Sequence, residues 1–118
     1  MKFNKNIQDL IPTMKKWIQT IHSFPEISYE EYKTAEFIEK KLKEFGIKVI
    51  KNIGKTGLVG ILEGKKKSSK SIGLRADMDA LPMDEKTNLS YSSKNLGKMH
   101  ACGHDGHVTM LLLSLIHI

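Results

Sequence analysis

The chain has 118 residues, 40% hydrophobic and 27% charged, which is room for one small globular domain and excludes a disordered polymer. Its formal charge of +6 is almost all lysine, spread over helix faces and the loop at 65–70. It reads as solvated surface and not as a nucleic-acid footprint, because arginine and clustered aromatics are missing. A single cysteine excludes an internal disulfide, and no apolar run reaches membrane length or follows the N-terminal lysines as a secretory core. A soluble cytoplasmic protein with neither membrane nor nucleic-acid partner is the expectation.

Ile7, Leu10, Ile11, Met14, Ile18 and Ile21 recur at helical spacing and predict a helix ending near His22, before Pro25. Asp9 is its candidate cap, with Pro12 tolerated in the first turn. Ser28-Tyr29-Glu30-Glu31 has the capping-box pattern and predicts a second helix opening at Ser28. Its buried stripe is Ala35, Ile38, Leu42 and Phe45, and Gly46 closes it. The period then shortens to two. Ile47, Val49 and Ile50 predict one strand, Gly54-Lys55-Thr56-Gly57 a turn, and Leu58, Val59, Ile61 and Leu62 a second strand. A third strand, apolar enough to be central, is expected over residues 71–76. Residues 83–98 read as loop with a short edge strand around Leu89-Ser90-Tyr91. A last helix starts after His104, with Asp105 as its candidate cap. The class is therefore α/β: two helices, a mixed sheet and a further helix, an incomplete domain. The apolar end, residues 113–118, has no cap and no polar face and reads as a non-native tail.

Two dense segments carry the chemistry. Met99-His100-Ala101-Cys102-Gly103-His104-Asp105-Gly106-His107 packs three histidines, the only cysteine and an aspartate into nine positions. Imidazole, thiolate and carboxylate are what a transition metal takes from a protein. Cys102 and His104, two residues apart on a glycine-flanked turn, are the candidate ligands. The bland fate of a lone cysteine is burial in the core, and such a cysteine does not need these neighbours. His100 and His107 are open between ligand, supporting hydrogen bond and cleft lining, and Asp105 between cap and site. The other segment, Leu74-Arg75-Ala76-Asp77-Met78-Asp79-Ala80-Leu81-Pro82, puts two acids at a strand end beside the only arginine. Within a strand Asp77 and Asp79 would point in opposite directions, one to the site and one to its support. Arg75 reads as their structural ion partner. Together the segments indicate a metal-dependent hydrolase. The competing class is a non-catalytic metal- or thiol-binding module, or a truncated product without function.

Three motifs resemble one family. They are His22-Ser23-Phe24-Pro25-Glu26-Ile27-Ser28 with Glu31, the aspartate segment extended to Met83 with Glu85, and Gly97-Lys98 leading through the histidine segment to Met110-Leu111-Leu112. In order and spacing the chain is similar to the N-terminal part of the hippurate hydrolase and N-acyl-amino-acid amidohydrolase family of dinuclear metallopeptidases. That family includes indole-acetyl-amino-acid hydrolases and N-acetyldiaminopimelate deacetylases and is related to aminoacylase. The resemblance implies that residues 1–112 are the N-terminal portion of a catalytic domain. It implies two divalent ions (zinc, manganese or cobalt), with Cys102 and His104 as metal ligands. It also implies Asp77 and Asp79 as the catalytic aspartates, Asp77 being favoured as the acting one. The family's general-base glutamate, its neighbouring metal glutamate, two more metal histidines and the dimerisation domain have no counterpart in these residues. The resemblance thus implies a small-molecule N-acyl amino acid substrate and a homodimer for the full-length protein, with the fragment inactive alone.

Overall fold

The N-terminal apolar repeat divides into two helices in the computed structural model, which describes residues 5–117. Helix α1 is Lys5–Gln8 and α2 is Ile11–Ser23, with a turn at Asp9 and Leu10 between them. Pro12 sits in the first turn of α2, where the missing N–H has no intrahelical partner to lose. Asp9 is not the cap: Leu10 holds that position in a helical conformation, without a side-chain hydrogen bond.

Helix α3 is Tyr32–Glu44, four residues later than the capping box places it. Ser28 does not cap it. Its hydroxyl donates to Asp79 Oδ2 at 2.6 Å instead. Glu26 takes over the role from outside the helix: its carboxylate accepts the N–H groups of Lys33 and Thr34 and the Thr34 hydroxyl, at 3.1, 2.7 and 2.8 Å. These are orphan donors of a first helical turn, where negative charge also meets the positive end of the helix dipole. Glu31 turns away to accept the Thr56 hydroxyl at 2.5 Å. At the other end Gly46, at φ 73°, lets the chain leave α3 through the left-handed region, as expected.

Strands β1 (Lys48–Ile53) and β2 (Gly57–Ile61) form an antiparallel hairpin, with Ile50 opposite Val59 and Lys48 opposite Ile61. The register slips at Asn52, which adopts φ 60° between Lys51 and Ile53. Helix α4, His104–His117, completes the order.

The α/β class holds, but the sheet has two strands and the expected third does not form. Residues 71–76 are in no ladder, and Ile72 is 90% exposed. A strand needs partners for its backbone N–H and C=O groups, and none of the described residues lines up beside this segment. No edge strand forms at 89–91 either; that stretch is a turn. The core lies where α2 meets α4 and α3 covers the hairpin. It consists of Trp17, Ile21, Leu42, Ile47, Val108 and Leu112, flanked by Phe37, Phe45, Met78 and Leu115. α4 continues through residues 113–117, with Leu115 on that core; Ile118 lies outside the described residues. No helix among the described residues is long and apolar enough to cross a membrane.

Candidate functional site

Three separate stretches of backbone meet at residues 77–81. Ala80 N donates to Glu26 O at 2.7 Å, making an isolated parallel bridge of Ile27 with Ala80. Leu81 exchanges both backbone hydrogen bonds with Met99, at 2.9 and 3.0 Å. Lys94 N donates to Ser23 O, and the Asn95 side chain to Pro25 O, both at 2.9 Å. The three sequence motifs are thereby laid side by side. Gly103, at φ 84°, then turns the chain sharply enough for His104 to open α4 beside them.

His104 is the centre of the arrangement. Its Nδ1 faces two acceptors, Asp79 Oδ1 and the Asp79 backbone oxygen, each at 2.9 Å. With Nδ1 donating, the neutral ring carries its lone pair on Nε2. Asp77 Oδ2 is 3.9 Å from that nitrogen, and Asp77 Oδ1 is paired with Arg75 at 2.6 Å. The two aspartates thus do not point apart. With no strand to alternate them, both approach the same imidazole from different sides. Arg75 makes its expected ion pair, at an exposed position. The Ser28 hydroxyl and His104 together hold the Asp79 carboxyl below its usual value, against the opposing effect of burial. Cys102 is exposed in the turn just before His104, and the ring of His107 stands 5.5 Å from that of His104.

A second group lies next to the first, built on His22 and Glu85, to which sequence reasoning gave no role. His22, at the end of α2, directs Nδ1 to Asp105 Oδ2 at 2.7 Å and Nε2 to Glu85 Oε1 at 3.1 Å. All three side chains are buried. A neutral imidazole has one N–H, so two carboxylate contacts favour the doubly protonated form. Burial alone would push His22 down, but the hydrogen bonds and charges of Asp105 and Glu85 outweigh it and hold it above the usual 6.5. Burial likewise opposes the ionised form of Glu85. Hydrogen bonds from the Thr87 hydroxyl, Ser93 N and His22 nonetheless keep it below 4.5. Asp105 is therefore an acid in the first turn of α4, not a side-chain cap for its start, and its charge is shared with His22. His100 is buried beside His22, with ring centroids 6.3 Å apart and neither ring nitrogen hydrogen-bonded among the described residues. Burial holds its pKa down. His22 and Glu85 both belong to quoted motifs, but no local pattern joins residues 63 and 83 positions apart.

This ion cluster has a definite pH signature. The raised His22 contributes stability that is complete below about pH 6.5 and is lost as pH rises through its folded-state pKa. The lowered Glu85 contributes stability present above about pH 4.5 and lost as pH falls through its folded-state pKa. His100, buried neutral, works in the opposite sense to His22, so the clean quantity is a difference. The gap in urea midpoint between wild type and His22→Gln is expected to be widest between these limits and to close on both sides. A gap independent of pH from 4 to 9 would refute it.

In chemical kind, the donors fit a metal ion. The His104 ring is oriented at Nδ1 by a carboxylate, the usual supporting arrangement for a histidine that ligates through Nε2, and Cys102 offers an accessible thiol close by in sequence. No group of three or more His, Cys, Asp and Glu side chains converges on one point among the described residues.

Comparison with known proteins agrees over most of the chain. The sequence pattern of peptidase family M20/M25/M40 matches residues 73–118. Hippurate hydrolase of Campylobacter jejuni is 54% identical over 114 residues, covering 97% of this chain and 30% of that protein. Thermostable carboxypeptidase 1 of Saccharolobus solfataricus is 42% identical, over 95% of this chain and 30% of the relative. A dinuclear metal binding peptidase of Bacillus subtilis superposes with a TM-score of 0.87 at 33% identity, over 93% of this chain and 31% of that one. The chain thus spans about 30% of the length of these relatives.

Proposed function

The chain belongs to the M20 peptidase family, and from that premise we propose that it is part of a metal-dependent hydrolase acting on the amide bond of N-acyl amino acids. The observation that carries the proposal is the placement of the His104 ring, with Nδ1 2.9 Å from Asp79 and Nε2 on the opposite side, two residues in sequence from an exposed Cys102. Similarity to hippurate hydrolase and to N-acyl-L-amino acid amidohydrolase supports the substrate class. Similarity to a dinuclear peptidase supports two metal ions, for which we propose zinc, manganese or cobalt.

In this reading Cys102 and His104 are two ligands of a larger set. Bound divalent ions would polarise the acyl carbonyl and lower the pKa of a water. Asp79 accepts the Nδ1–H of His104, which keeps the ring in the ligating tautomer and raises the basicity of Nε2. Ser28 holds the second oxygen of Asp79, so the carboxylate cannot rotate away. Asp77 stands on the Nε2 side, its charge tempered by Arg75, and is the second candidate catalytic aspartate.

In this reading the general-base glutamate that the family resemblance implies has no counterpart among these residues. A positioned base contributes about 10²- to 10⁴-fold to rate. The 118-residue chain, supplied with zinc, manganese or cobalt, is therefore expected to show no measurable release of glycine from hippurate. A protein of the relatives' full length that carries this chain is expected to show metal-dependent release. Hydrolysis by the chain alone would overturn the division of labour. Inactivity of the longer protein on every N-acyl amino acid tried would favour the non-catalytic alternative.

A further inference from the structure

Two consecutive residues at the head of α4 are each held by a different partner. His104 is tied to Asp79 and, through it, to Ser28. Asp105 is tied to His22 and, through it, to Glu85, whose far oxygen accepts Ser93 N at 2.5 Å. The two residues are neighbours in sequence at the head of the helix, so a backbone shift at one displaces the other. His22 is fixed in turn by its place at the end of α2, the helix that packs on α4 through Trp17, Ile21, Val108 and Leu112. Around the ring stand Asp105 from α4, Glu85 from the loop, Tyr91 edge-on at 5.5 Å and His100 at 6.3 Å. Among the described residues the imidazole thus links the two buried acids directly, at 2.7 and 3.1 Å.

We propose that His22 is a positioning residue for the metal-ligating end of α4: by bridging Glu85 and Asp105 it fixes the first helical turn and so keeps His104 with Nδ1 on Asp79 and Nε2 outward. Its importance for function rests on the reading of His104 as a ligand given above; its geometry needs no ion. A residue that can serve only one of the two acids leaves the other buried without a counter-charge, and the turn carrying His104 relaxes.

The test uses the whole chain with ¹⁵N-labelled histidine at pH 7, free of metal. Long-range ¹H–¹⁵N correlation spectra report which ring nitrogen carries the proton. In the wild type, His104 is expected to be a single Nδ1–H tautomer, and His22 to be protonated on both nitrogens. In His22→Gln, His104 is expected to become the mixture that an unrestrained imidazole adopts. In a protein of the relatives' length that carries this chain, cobalt(II) affinity, followed by thiolate-to-cobalt absorption, is expected to fall about 10- to 100-fold in the same variant. Asp105→Asn and Glu85→Gln report the same quantity through milder changes if His22→Gln does not fold, as judged by Trp17 fluorescence. A purely structural role for His22 would lower stability and leave the tautomer of His104 unchanged. If His104 stays locked as Nδ1–H in the folded variants, the proposal is wrong whatever cobalt does. If His104 responds to His22 while a wild-type protein of the relatives' length that carries this chain gives no cobalt–thiolate band, the positioning role stands and the assignment of Cys102 and His104 as ligands falls.

Discussion

Replacing Cys102 by alanine, in a protein of the relatives' length that carries this chain, is expected to lower metal content and turnover together. A thiolate contributes a bond and a negative charge, so its loss weakens affinity and also alters the acidity of metal-associated water. The loss should exceed the roughly 10- to 100-fold that follows removal of a residue merely supporting a ligand. Asp79→Asn should fall in that smaller range and divide differently. The amide keeps the shape of the side chain, but it no longer offers His104 Nδ1 a charged acceptor. Metal should be largely retained while kcat drops. Asp77→Asn is the informative third variant, because the family resemblance favours Asp77 as the acting residue whereas its carboxylate is shared with Arg75 and stands 3.9 Å from His104 Nε2. Metal stoichiometry measured beside kcat for all three variants distinguishes the roles. Full metal content and full activity in Cys102→Ala would show that this exposed cysteine is not a ligand.

Leu112→Ala is expected to destabilise the fold by about 2–5 kcal/mol, the range for emptying a well-packed leucine site. Leu112 is 2% exposed and sits in the cluster with Trp17, Ile21 and Val108, where α4 meets α2. Small domains are stable by only about 5–15 kcal/mol, so this is a large share of the total. The same change at Leu96, which is 96% exposed, should stay within about 0.5 kcal/mol. Trp17 is the only tryptophan and belongs to the affected cluster, so its fluorescence follows urea unfolding of both variants directly. Equal midpoints for the two variants would show that α4 does not depend on this core. Because α4 also carries His104 and Asp105, the destabilised variant should loosen the candidate site as well as the core.

Periodicity and punctuation alone determined most of the elements of this protein. The apolar repeats around Trp17 and Leu42 mark amphipathic helices, Gly46 marks a helix end, and Gly54 to Gly57 mark the hairpin turn; each signal is local, and local backbone preferences suffice to read it. The candidate site was marked by a related signal. Cys102, His104, Asp77 and Asp79 lie in two short segments whose residue types leave few other uses. Competition between distant groups decided what remained. Ser28 has the pattern of a cap, yet its hydroxyl finds a better acceptor in Asp79, 51 residues away, and Glu26 caps α3 in its place. Residues 71–76 have the composition of a central strand, but strand composition supplies no neighbour, and without one the segment stays open to water. Which aspartate reaches His104 Nδ1, and that His22 holds both Glu85 and Asp105, depend on three stretches of backbone converging near Ala80. Hydrogen bonds and buried charges choose partners by distance in space, a quantity that only the tertiary packing defines.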